Sequence, residues 1–263
     1  MKIALIQMVS AEDYATNLLT VEKLVEEAVQ NQAQMVILPE FFMQISDRDN
    51  KFDIAEEFGS GALQDWLSKL ACKYSITLIA GTIALKTPAI NRYLNSSLVF
   101  DSNGKILARY DKIHLFRLND GNESYNETAY FDSGNNLTTF EVAGFRFGLA
   151  ICYDLRFPEL FRQMGAIDAI ILPSAFTETT GKAHWEILSR ARAIENQCYF
   201  LAVNQGGVHQ SGRKTYGHTM AIDPWGSVID SATIGEKIIY CTISHENISR
   251  IRNKLPALNH RVL

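Results

Sequence analysis

The sequence predicts a layered α/β fold with helices on the outside of its sheets. Three observations lead there. Short apolar runs alternate with amphipathic stretches along almost the whole chain. Hairpin signals, such as the turn at Asp101-Ser-Asn-Gly104, add antiparallel strands to that alternation. The two halves share the pattern, as though a βαβ plan were used twice. No Pro/Gly/Ser-rich linker separates them, so residues 1–263 are expected to form a single domain.

The elements follow in order. Residues 3–7 read as a first strand. Leu18, Val21, Leu24, Val25 and Ala28 recur at helical spacing within residues 17–31. Residues 35–38 form a second strand that stops at Pro39-Glu40, and residues 63–74 a second helix after the loop at Gly59-Ser-Gly61. Strands are expected at 77–83, 96–100 and 105–110. In the second half, 146–151 is a strand, 159–164 a helix, 168–172 a strand and 182–196 a long helix. Strands follow at 199–204, 220–222, 228–230 and 238–243, with a last helix over 246–254.

Composition narrows the function classes. The chain has 263 residues, 47% of them hydrophobic, enough for a sizeable core. A formal net charge of -4 without a basic stripe argues against nucleic acid. No stretch approaches the ~20 apolar residues of a membrane span. The start, Met1-Lys-Ile-Ala-Leu-Ile-Gln-Met8, is too short for a signal peptide and reads as the first strand, so the expected location is cytoplasmic. Cys72, Cys152, Cys198 and Cys241 form no CxxC pair, and the six histidines show no metal-ligand spacing. His184 is expected to serve structure or substrate rather than metal.

Three polar residues stand where an apolar strand has just ended. Glu40 follows Val36-Ile-Leu-Pro39. Lys112 follows residues 106–111. Cys152 ends Phe147-Gly-Leu-Ala-Ile-Cys152, and a helix starts at Pro158, a residue suited to a first helical turn. Open α/β folds place their chemistry at the carboxyl ends of strands. Carboxylate, ammonium and thiol are what a cysteine amidase needs. A free thiol, with pKa near ~8.5, is mostly protonated at neutral pH. A carboxylate can accept its proton, and an ammonium can offset charge on a carbonyl oxygen. Each residue also has a plain alternative: a core cysteine, a turn-capping glutamate, a surface lysine.

Leu38-Pro-Glu40-Phe, Tyr110-Asp-Lys112-Ile-His-Leu-Phe and Ile151-Cys152-Tyr-Asp-Leu-Arg-Phe-Pro-Glu resemble the three signature segments of the nitrilase superfamily of carbon–nitrogen hydrolases, in the family's order. The resemblance covers essentially the whole chain. It implies a four-layer αββα sandwich, forming a homodimer or higher homo-oligomer through a helical layer. It implies that Glu40 is the general base, Lys112 the stabiliser of the tetrahedral intermediate and Cys152 the nucleophile. Glu127 fits the place of a second glutamate that orients Lys112, with Glu123 as its rival. The backbone N–H of Tyr153 would complete the oxyanion site. The reaction implied is acyl transfer to Cys152, then hydrolysis of the thioester, on a small-molecule amide without metal or organic cofactor.

Strings in the second half resemble the deaminated-glutathione amidase branch, a metabolite-repair activity. They include Pro173-Ser-Ala-Phe-Thr177, Thr180-Gly-Lys-Ala-His184-Trp-Glu and Tyr216-Gly-His-Thr-Met-Ala-Ile-Asp-Pro-Trp-Gly226. Omega-amidases acting on 2-oxoglutaramate are the alternative, then N-carbamoyl amino acid or polyamine hydrolases. A non-catalytic binding or scaffolding protein of the same fold is the contrasting class. An anionic substrate needs a cation in the pocket. Arg156 could pair with its carboxylate, or else form an ion pair with Glu159 or Asp154. Arg117, Lys182 and Arg213 are weaker candidates. Phe116, Phe176 and Thr177 are candidates to line the pocket or simply to pack.

Overall fold

The structure is a computed structural model that describes residues 1–46, 52–119, 121 and 123–262. In chain order its first half contains β1 (Lys2–Gln7), α1 (Tyr14–Gln30), β2 (Met35–Ile37), α2 (Ala62–Tyr74), β3 (Thr77–Ile79), β4 (Ile83–Lys86), β5 (Tyr93–Phe100) and β6 (Ile106–Asp111). A small hairpin of β7 (Arg117–Asn119) and β8 (Ser124–Asn126) follows. The second half contains β9 (Thr139–Val142), β10 (Phe145–Leu149), α3 (Pro158–Gln163), β11 (Ala169–Ser174), α4 (Glu178–Asn196) and β12 (Tyr199–Asn204). It closes with β13 (Met220–Ile222), β14 (Val228–Ser231), β15 (Lys237–Thr242) and α5 (His245–Lys254).

Strand alternation builds the layers. Successive side chains of a strand point to opposite faces. Ile3 and Leu5 of β1, with Met35 and Ile37 of β2, face a core shared with Phe147, Leu149, Ile171 and Leu201 of the other sheet. Ala4, Ile6 and Val36 face the opposite way, onto Val21, Leu24 and Val25 of α1 and Leu63, Leu67 and Leu70 of α2. The first sheet is therefore covered by helices on one side and by the second sheet on the other. Trp185 and Ala193 of α4 and Phe161 of α3 join the core of the second sheet. The result is the expected four-layer αββα sandwich.

The repeated βαβ plan is visible in the pairing. The first sheet runs β15-β1-β2-β3-β5-β4, with β6 on β5; the second runs β14-β13-β12-β11-β10-β9. Parallel trios sit at their centres, β1–β2–β3 joined through α1 and α2, and β10–β11–β12 joined through α3 and α4. Glu40 follows β2, Cys152 follows β10, and Ala175 and Gln205 directly follow β11 and β12. A bridge between Met8 and Gln205 ties the sheets together at this end.

Three expectations need correction. The strand expected over 77–83 is two strands, because Gly81 breaks it at φ +44°. A Cβ at Gly81 would lie only 2.0 Å from the Pro39 carbonyl oxygen, so a bare glycine lets this turn pass directly beside Glu40. The strand before Cys152 ends at Leu149 rather than Ile151, and residues 152–156 form a 3₁₀ turn before α3. The β7–β8 hairpin and β9 were not foreseen, because three- and four-residue strands carry too few residues for a period to register.

The loop after β12 is pinned by a buried histidine. His209 Nδ1 lies 2.9 Å from the Ser10 carbonyl, which can only accept, so the ring donates there. Nε2 then accepts from the Thr215 hydroxyl at 2.8 Å. Burial, aided by nearby Arg213, lowers this imidazole to a pKa of about 4 from the ordinary 6.5. The unfolded chain takes up the proton first as pH falls. The stabilisation is present above about pH 6.5 and is lost as pH drops toward 4. The shift corresponds to roughly 3 kcal/mol. We expect urea titrations of His209→Gln to show a shallower fall of stability between pH 6.5 and 4 than wild type; parallel pH profiles would contradict this role.

Candidate active site

Glu40, Lys112, Glu127 and Cys152 meet at the carboxyl ends of the parallel strands. Glu40 is 1% exposed and Lys112 0%. The Lys112 ammonium stands between two carboxylates, 2.9 Å from Glu40 Oε1 and 2.9 Å from Glu127. An ammonium has three N–H groups, so a third is left for another acceptor.

The rest of each carboxylate is tied to backbone and amide donors. Glu40 Oε1 also accepts from Asn95 Nδ2 at 2.9 Å, and Oε2 from the Ala175 N–H at 2.8 Å. Its own carbonyl accepts from Gln205 Nε2, which also donates to Ser10 Oγ. Glu127 accepts from the Phe116 N–H at 2.7 Å. Glu127, rather than Glu123, is thus the second carboxylate paired with Lys112. Glu123 accepts from the Thr179 hydroxyl at 3.3 Å and lines an outer cavity, away from Lys112.

Cys152 is held in a left-handed backbone conformation, φ +48°. A non-glycine residue there costs on the order of 1–3 kcal/mol and persists only when its surroundings enforce it. Asp154 does the enforcing. Its Oδ2 accepts from the Ile151 N–H at 2.9 Å and from the Tyr110 hydroxyl at 2.8 Å. Its Oδ1 accepts from the His114 backbone N–H at 3.1 Å and lies 2.7 Å from His114 Nδ1. Asp154 thereby fastens the cysteine turn to the segment that carries Lys112.

The electrostatics set the resting protonation. Burial pushes Glu40 up, but Lys112 outweighs it and holds the carboxyl below its ordinary range. Burial pulls Lys112 down, yet Glu127 and Glu40 raise it on balance, so it stays an ammonium. Burial, with Glu40 beside it, raises Glu127 despite Lys112. Burial first, then the Glu40 charge and its hydrogen bond to the thiol, push Cys152 well above the ordinary thiol value. The resting pair is therefore a neutral thiol beside an ionised acceptor. Nucleophilic attack from this state requires the proton to move to Glu40 as the sulfur bonds.

Two connected cavities lead to the sulfur. The inner one, about 10 Å³, is lined by Glu40, Cys152 and Tyr153 together with Phe176, Thr177 and Arg213. The outer one, about 840 Å³, shares Phe116, Glu127 and Arg213 with it. Phe116, Phe176 and Thr177 line the inner cavity as expected; Thr177 also caps α4, its hydroxyl accepting from the Thr180 N–H.

The candidate cations lie in different places. Arg156 does not line either cavity, and it pairs with neither Glu159 nor Asp154 among the described residues. Its guanidinium lies 3.3 Å from His184 Nδ1 and over the rings of Tyr153 and Phe176. Lys182 pairs with Glu178, and Arg117 donates to Asn126. Arg213 is the basic side chain that reaches both cavities. The structural partners Asn95, Asp154 and Gln205 were also not foreseen as site residues, since nothing in their local strings distinguishes them from ordinary core polar groups.

Comparison with known proteins identifies the family and agrees with the fold. The carbon-nitrogen hydrolase family matches residues 2–253. A deaminated glutathione amidase from Yersinia enterocolitica is 38% identical over 267 residues, covering 98% of this chain and 92% of its own. Omega-amidase NIT3 from Saccharomyces cerevisiae is 35% identical over 271 residues, covering 99% and 92%. The crystal structure of S. cerevisiae Nit3, described as a member of branch 10 of the nitrilase superfamily, superposes with a TM-score of 0.90 at 32% identity, covering 100% and 97%.

Glu40 both raises the thiol and accepts its proton, so Glu40→Gln separates the two effects. We expect the pH titration of Cys152 alkylation by iodoacetamide to shift to lower pH in that variant while amide turnover falls. A thiol titration that stays in place or moves up would show that Glu40 is not what holds the proton on sulfur.

Proposed function

The chain belongs to the carbon–nitrogen hydrolase family, and from that premise we propose that its amidase chemistry runs through Cys152, Glu40 and Lys112. It is a hydrolase of carbon–nitrogen bonds other than peptide bonds, and its substrates are small molecules. The observation that carries the residue assignment is the convergence of buried thiol, carboxylate and ammonium at one point, with Glu40 and Cys152 lining one cavity and Lys112 2.9 Å from Glu40.

In this reading the Cys152 sulfur attacks the amide carbon as its proton passes to Glu40. The third N–H of Lys112 and the backbone N–H of Tyr153 hold the oxyanion. Collapse of the intermediate breaks the C–N bond, and Glu40 returns the proton to the departing amine. A thioester on Cys152 remains. Glu40 then takes a proton from water, hydroxide adds to the thioester carbon, and the acid leaves as the proton returns to sulfur. Glu127 acts on Lys112, holding it in place without touching the reacting carbon.

For the substrate we take deaminated glutathione, on the strength of the relatives that bear that activity in their names at 37–38% identity. A 2-oxoglutaramate-type substrate is the second reading, supported by the omega-amidase relatives. We further take residues 1–263 as one hydrolase domain working in the reducing cytoplasm, where a free nucleophilic thiol persists. No described helix is long and apolar enough to cross a membrane. A homodimer would cover the outer face of α4, where Ile187 is 70% exposed and Ile194 50% exposed beside Gly226.

Three measurements check this reading. Cys152→Ala should abolish hydrolysis with its circular dichroism unchanged, and Lys112→Ala and Glu40→Gln should each cost on the order of 10²-fold or more in kcat. Near-normal turnover by Cys152→Ala would remove the mechanism. Side-by-side kcat/KM values for deaminated glutathione, 2-oxoglutaramate and an N-carbamoyl amino acid decide the substrate, and a preference for the last would overturn the choice made here. Sedimentation should give a dimer that Ile194→Asp weakens.

A further inference from the structure

The two cavities differ about eighty-fold in volume, 10 Å³ against 840 Å³. The inner one has room for little beyond the reacting group. Most of any substrate must therefore lie in the outer chamber, whose lining decides what is accepted. That chamber is walled by Phe41, Phe52, Phe116, Tyr130 and Phe131, and against these rings a few polar groups stand out.

Three residues that line this chamber each carry a buried polar atom with no hydrogen-bond partner among the described residues: Gln44 Oε1, Ser211 Oγ and Arg213 Nε. Buried polar atoms are almost always paired, so three orphans around one cavity mark groups waiting for a ligand. The Gln44 amide is oriented, since its Nε2 donates to the Glu12 carbonyl at 2.7 Å. Its acceptor oxygen is thus the free end.

Arg213 is the most informative of the three. It sits where the cavities join, and one N–H, from Nη2, donates to the Ala175 carbonyl at 3.2 Å. The backbone N–H of that same residue binds Glu40, so the guanidinium is registered to Glu40 through one residue. The rings of Phe41 and Tyr125 lie 5.9 and 5.3 Å from its central carbon. No salt bridge to Arg213 is made among the described residues. A guanidinium near two rings, with no carboxylate partner and an unpaired Nε among the described residues, suits a planar carboxylate.

We propose that Arg213 is the substrate-carboxylate receptor of this site, assisted by the Ser211 hydroxyl, and that Gln44 accepts a hydrogen bond from an N–H of the same substrate. The class of substrate is then an amide bearing a carboxylate, rather than a neutral aliphatic amide. This rests on the amidase reading above and deepens it. Arg156, engaged with His184, is not the receptor.

Binding can be read without turnover. Calorimetry on the Cys152→Ala protein would compare glutaramate with 5-methylhexanamide, in which an isopropyl group replaces the carboxylate. We expect glutaramate to bind more tightly, and the added change Arg213→Gln to weaken glutaramate by between roughly 10- and 100-fold relative to the neutral amide. Arg213→Lys should keep part of the preference, and Arg156→Gln should keep all of it. Equal loss for both ligands, an unchanged preference in Arg213→Gln, or no glutaramate binding to Cys152→Ala would each overturn the assignment. Absent hydrolysis by wild type, with the Arg213-dependent preference intact, would instead remove the catalytic reading and leave the receptor standing.

Discussion

One buried ammonium between two carboxylates constrains everything else in this molecule. Removing Lys112 and its partners from water costs several kcal/mol per ion, and mutual attraction offsets this only when the remaining lone pairs are also met. That requirement reaches across the chain. Asn95 of β5, the Ala175 N–H after β11 and the Phe116 N–H each supply a donor. Both sheets must be in place before the charge group is satisfied, so the site is as much a product of the sandwich as its occupant.

The same group explains why the thiol is kept neutral. A carboxylate within hydrogen-bonding reach disfavours a thiolate, and burial disfavours it further. A pre-formed thiolate would be an unprotected nucleophile. In the proposed mechanism charge on sulfur develops only as Glu40 takes the proton, which couples reactivity to the arrival of an electrophilic carbon. The left-handed turn at Cys152 contributes in a different way, by aiming the sulfur rather than tuning it. Asp154 supports both, since it fixes the turn and fastens it to Tyr110 and His114 on either side of Lys112.

The proposed receptor and the proposed reacting groups stand on separate parts of the fold. The reacting groups stand on strand ends, where parallel pairing fixes them. Arg213 and Ser211 stand on the loop after β12, held by His209 and Thr215. A loop can change its side chains without disturbing the sheets. Shared reacting groups and varied recognition loops are what a family with several amide substrates would be expected to have.

The sequence alone determined the layered fold and the repeated βαβ order, and it singled out three strand-end residues, Glu40, Lys112 and Cys152, which the structure brings together. These were legible because periodicity and chain breaks are local properties: a run of alternating faces, then a proline, a lysine or a cysteine. Short strands such as β7 and β9 left no such trace. Which polar residues would face one another was a different matter. That Glu127 rather than Glu123 pairs with Lys112, that Arg213 rather than Arg156 lines the cavities, and that Asp154 braces the turn were visible only in the tertiary structure. Arg156 lies four residues from Cys152 and Arg213 sixty-one, yet it is Arg213 that opens on the sulfur's cavity. Sequence separation fixes backbone neighbours, whereas the distance between loop side chains depends on how two sheets pack against each other.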